Sequence, residues 1–251
     1  MTGGSALGVF VEFGDVDKLR EFGEQFPEDH PLYSMGAAFM YFMDNNYAAT
    51  LQLLETVEVV SEVEASFAYP LASMSALKLG DLQAARDFIV RANPILASDT
   101  VDSVDKRNVK SAILLAYVLK RLGDDKHADR LLAQAQSVVD SLPRIGVKGH
   151  GISDVHIFAI QGRRDAAIEA LRDAIDEGFV SLMSYDFWTL NQDPIVDDLR
   201  NDSRFKAMQQ ELNQRIEAMR KNVERAEQRD DWSELLGKVR GEQLTAALHA
   251  N

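Results

Sequence analysis

The chain has 251 residues, enough to bury a sizeable core, and its 40 Asp and Glu against 27 Lys and Arg give a net charge of −13. That sign opposes attraction to a phosphate backbone or an anionic membrane and argues against nucleic-acid binding. The absence of cysteine excludes disulfides, thiolate catalysis and cysteine-based zinc sites, and apolar stretches such as Ile113 to Leu119 fall far short of the roughly 20 residues a membrane span needs.

The first residues, MTGGSALGVFVEFGD, lack the positively charged lead of a secretory signal, so the expected compartment is the cytoplasm. Residues 1–77 carry twelve Asp or Glu against only Lys18 and Arg20, a solvated acidic face or a docking surface for a basic partner. Gly14, Leu19 and Phe26 suggest a helical hairpin over residues 5–29 whose first helix is cut short.

From there one template recurs: a glycine, an alanine five residues on, an aliphatic four further, then another alanine. Its copies are Gly80, Ala85, Ile89, Ala92; Gly123, Ala128, Leu132, Ala135; and Gly162, Ala167, Leu171, Ala174. Each glycine separates two segments of helical periodicity, which predicts helices over Ala65–Leu79 and Leu82–Asn93, Val109–Leu122 and Lys126–Leu142, and Ser153–Gln161 and Arg164–Glu177. Asp124 and Asp125 suit a helix start, and Pro94 and Pro143 close two of the hairpins. Seven residues before the glycines stand Ser73, Ala116 and Val155; short side chains there and at the first alanine let paired helices approach to about 8–10 Å. Tyr33–Val57 fits as a degenerate copy with Ala37, Asp44, Ala49 and Leu53, the glycine replaced by Asp44-Asn45.

Turn positions 44, 80, 123 and 162 are spaced by 36, 43 and 39 residues, against about 34 for an uninterrupted tetratricopeptide repeat; the excess falls in polar joints at Ser98–Asn108 and Arg144–Ser153. These copies resemble tetratricopeptide repeats across residues 30–180. The resemblance implies an all-α, right-handed superhelical array of antiparallel helix pairs, an α-solenoid of the TPR kind with C-terminal capping helices. Next, Asp193-Pro194, Leu199-Arg200, Asp202, Arg204 and Phe205 resemble the closing segment of bacterial repeat arrays fused to adenylate cyclases or winged-helix transcription activators. That resemblance implies a bacterial regulatory module, placed in the periplasm if it belongs to a membrane-anchored regulator; no output domain of either kind is recognisable in the sequence.

Residues 181–229 comprise the closing segment and a long amphipathic helix from Ser203 with Phe205, Met208, Leu212, Ile216, Met219 and Val223 at alternating threes and fours. It caps the array's exposed apolar end, or it forms a dimer seam through Ile216, Met219, Val223 and Trp232. A terminal helix is expected over 230–251, opened by Asp231 and Glu234 as a capping box.

Catalytic chemistry finds little footing: no nucleophile elbow and no phosphate loop is present. His150, Asp154 and His156 are the best metal candidates, but Gly149 and Gly151 interrupt the helix face they would share, so no metal, cofactor or catalytic residue is assigned. The resemblance instead implies a concave groove lined by the first helix of each hairpin. On that frame Tyr41, Phe42, Met74, Lys78, Tyr117, Lys120, Arg121 and His156 form a partner-binding bed of aromatics and cations suited to a peptide bearing an acidic group. The asparagines of a carboxylate clamp are missing, which disfavours a receptor for chaperone tails. The expected function is a non-enzymatic protein-protein interaction scaffold, with a homodimer associating through its C-terminal helices as the alternative.

Overall fold

The computed structural model describes residues 31–56, 62–98, 103–145, 149–180, 183–185 and 188–228. The hairpin expected over 5–29 and the terminal helix over 230–251 lie outside these residues.

The described residues form nine α-helices: α1 Pro31–Met43, α2 Tyr47–Thr56, α3 Glu62–Lys78, α4 Leu82–Ala92, α5 Val109–Leu122, α6 Asp125–Val139, α7 Ser153–Ile160, α8 Arg164–Asp176 and α9 Ser203–Gln228. Two 3₁₀ turns, Pro94–Ala97 and Pro194–Leu199, join them, and Met183–Tyr185 pairs antiparallel with Trp188–Thr189. This short strand pair is an element that helical periodicity did not anticipate. Consecutive helices pack as pairs, α1 with α2, α3 with α4, α5 with α6 and α7 with α8, and neighbouring pairs pack on one another.

The turns follow the template. Gly80, Gly123 and Gly162 take φ of +82°, +85° and +71°, the left-handed region in which a β-carbon is costly. The carboxylates of Asp81 and Asp124 cap the following helices by accepting from the Ala84 and His127 amides at 2.9 and 3.3 Å. The small positions Ser73, Ala116, Val155, Ala85, Ala128 and Ala167 are all buried.

In the first hairpin the structure corrects the register by one residue. The left-handed residue is Asn45, at φ +59°, and counting from it the buried residues are Ala38, Thr50 and Leu54, where Ala37, Ala49 and Leu53 were expected. Thr50 fills an alanine's place because its hydroxyl donates to the Asn46 and Ala38 carbonyls at 3.1 and 3.3 Å, so the polar atom is satisfied where it is buried.

Among the described residues there are two apolar clusters. One joins α1 to α6 and includes Ile157 and Ile195; the other joins α7, α8, the 3₁₀ turn and the start of α9 through Ile152, Leu171, Val196, Leu199, Phe205 and Leu212. Adjacent residues Ile195 and Val196 enter different clusters, so the turn at Pro194–Leu199 bridges them.

Candidate functional site

The face expected to be a groove is where the chain's own closing segment lies. Asp193 caps the 3₁₀ turn, one carboxylate oxygen accepting from the Ile195 amide at 2.9 Å, and Pro194 follows at a position whose missing N–H has no partner to lose. Arg200 folds back to donate to the Leu190 and Asp193 carbonyls at 3.1 and 2.7 Å, and Gln192 accepts from the Thr189 hydroxyl at 3.1 Å. The stretch Thr189–Arg200 is thus knotted by its own side chains. Further on, Asp202 binds the Arg204 guanidinium, which also reaches Asp165 on α8 at 2.7 Å, and Phe205 is fully buried.

Each of the four hairpins sends one polar group to this stretch. Asn45, in the α1–α2 turn, accepts from the Gln192 amide at 3.2 Å. Lys78, at the end of α3, donates its ammonium to the Gln192 carbonyl. The Tyr117 hydroxyl on α5 donates to the Pro194 carbonyl at 3.2 Å. His156 Nε2 on α7 lies 2.9 Å from Asp193 Oδ2, both side chains buried at 2% and 0% exposure. Burial pushes the Lys78 ammonium below its ordinary range, Asp197 pulling it partly back, and burial pushes the Tyr117 phenol up; both shifts are what desolvation under a covering segment produces.

Of the eight expected bed residues, the structure brings Lys78, Tyr117 and His156 together on the closing segment. Arg121 stays exposed and stacks on the Tyr117 ring, its guanidinium 5.7 Å from the centroid and 3.3 Å from the hydroxyl. Phe42 and Met74 are fully buried in the first cluster, their volume filling the inter-helix space. Tyr41 is 42% exposed: with the register anchored on Asn45, it stands one residue off the repeat position at which it was expected. Lys120 turns toward its own hairpin partner and pairs with Asp125 and Asp129 on α6 at 3.0 and 2.8 Å. These carboxylates stand four residues apart, on one face of the helix.

The metal candidates are drawn apart. Arg144 holds both oxygens of Asp154 at 3.0 and 2.8 Å, a fork that engages both with one cation. His150 sits beside this pair with Nδ1 4.0 Å from Asp154, and His156 turns to Asp193. Among the described residues no group of three or more His, Cys, Asp or Glu could hold a metal ion.

At the C-terminal end Ile216 is buried and Met219 half-buried; the Val223 side chain and Trp232 lie outside the described residues. Among the described residues no helix is long and apolar enough to cross a membrane. Asn45, Gln192 and Asp193 complete the site without having been expected there. The Asp193-Pro194 pair was the available signal, since such a pair starts a helical turn and a capping aspartate keeps one oxygen spare. The chain matches no protein-family model, no curated protein and no solved structure.

Proposed function

We propose that this chain is a non-enzymatic scaffold, a right-handed superhelical array of the tetratricopeptide kind, that recognises a protein partner through the inner face of its first helices. The observation that carries the proposal is the placement of Lys78, Tyr117 and His156, from three successive hairpins, on a single short stretch of chain. A surface that holds main-chain carbonyls and a carboxylate from one stretch has the donors needed to hold another. The regulatory, bacterial setting rests on the resemblance of the closing segment alone. The test is capture from the source organism by the full chain and by a Tyr117→Ala/Arg121→Ala variant of unchanged helicity. Loss of the partner by the variant is expected, and undiminished capture contradicts the proposal.

A homodimer is the second reading. Helix α9 runs to Gln228, yet beyond Ile216 none of its described side chains is buried, which leaves a helical surface for a second copy. Solution mass of the full chain separates the two: a monomer at micromolar concentration removes this reading.

A further inference from the structure

The stretch Gln192–Pro194 is held as a bound peptide would be, and its chemistry describes the partner. Gln192 offers its carbonyl to Lys78 and its side-chain amide to Asn45. Asp193 places a carboxylate against His156, and Pro194 offers a carbonyl to Tyr117. Three of these four groups on the hairpins face a main-chain carbonyl or a carboxylate, which any extended Asp-Pro segment supplies. The Asp-Pro order matters physically: proline has no N–H to leave unpaired against the helices, and it holds the preceding residue extended, as Asp193 is at φ −67° and ψ 112°.

We propose that Gln192–Pro194, followed directly by Ile195, Val196 and Leu199 anchored in the two apolar clusters, is an intramolecular occupant of the recognition face, and that the partner is an extended acidic segment containing Asp-Pro that enters by displacing Gln192–Pro194. The proposal rests on the scaffold reading above and adds to it the partner's chemistry and a built-in competitor. The occupant is covalently tethered, so its effective concentration is high and a free peptide of the same sequence competes poorly. A partner must therefore contribute further contacts, for which the exposed Arg121 guanidinium beside Tyr117 is placed to receive a second acidic group.

The probe is a fluorescent synthetic peptide of residues 188–200, WTLNQDPIVDDLR, titrated into the full chain. An Asp193→Asn chain, whose tethered segment has lost its charge, should bind this peptide at least tenfold more tightly than the wild type. The same peptide with asparagine at that aspartate should not gain, and His156→Gln added to the Asp193→Asn chain should abolish the gain. Equal affinity of the folded wild-type and Asp193→Asn chains overturns the proposal, as does a captured partner whose binding is indifferent to His156 and Asp193; the latter leaves the scaffold reading standing. Should Asp193→Asn fail to fold, hydrogen exchange of the wild-type chain decides. Amides of Gln192, Asp193 and Ile195 exchanging well ahead of α5 support a displaceable occupant, and exchange as slow as α5 overturns it.

Discussion

His156 and Asp193 face each other across 2.9 Å with almost no exposed surface, one on the first helix of the last hairpin and the other at the cap of the turn that closes the array. A buried carboxylate requires a donor, and leaving a buried polar group short of its hydrogen-bond partner costs about 1–3 kcal/mol. Asp193→Ala and His156→Ala should each lower the urea midpoint by that order. The double variant should cost clearly less than the two single losses added together, since the two groups share one interaction. Additive losses would show that the two side chains do not depend on each other.

The short residues at the helix crossings predict a second outcome. Ala128 and Ala167 are fully buried, and a leucine at either position must force its hairpin apart, a loss of about 1–3 kcal/mol for an overpacked core. Ala133→Leu, on the exposed side of α6, is the control and should cost less than 1 kcal/mol. Denaturation midpoints of the three variants decide the matter.

Two glycines should respond to alanine for different reasons. Gly123 has open space around a would-be β-carbon but a φ of +85°, so Gly123→Ala should cost about 1–2 kcal/mol from backbone strain alone. At Gly149 a β-carbon would collide with the Arg144 carbonyl and the Ile145 backbone. Gly149→Ala should therefore cost more than Gly123→Ala and disturb the Arg144–Asp154 pair, seen as a larger drop in melting temperature.

His150 predicts a pH dependence. Burial holds its imidazole below the ordinary 6.5; Asp154, Glu177 and Asp140 raise it against that pull, and Arg144 adds to the lowering. A depressed folded-state value means that the unfolded chain binds the proton first. The stabilising contribution is whole above about pH 6.5 and disappears as the pH falls through the lower native value. Denaturation at steps from pH 8 to pH 5 should show stability falling with acid, and His150→Gln should reduce the slope. An unchanged slope would place the titration elsewhere.

Much of the helical layout was legible because the template is local: a glycine in a left-handed turn and an alanine at a crossing are each dictated by neighbours within a few residues. Bounds such as Val109–Leu122 follow from that. The register of the first hairpin was not legible, because Asp44 and Asn45 are both turn formers and only burial of Ala38 and Thr50 chooses between them. The contacts with the closing segment were legible in part. Tyr117, Lys78 and His156 stand at repeat positions, but their target lies more than thirty residues away in sequence for each, and no periodicity reports a contact of that range. Helix α3, by contrast, runs through Pro70 as its apolar periodicity predicted, although that residue lacks a ladder donor.

The most direct test of the central claim is hydrogen exchange of the full chain with and without its captured partner. If the face made by the first helices is the recognition surface, new protection falls on α3, α5 and α7, and exchange in residues 192–195 rises as the occupant is displaced. Protection confined to α9 or to the second helices of the hairpins, α4, α6 and α8, with residues 192–195 unchanged, would contradict the account.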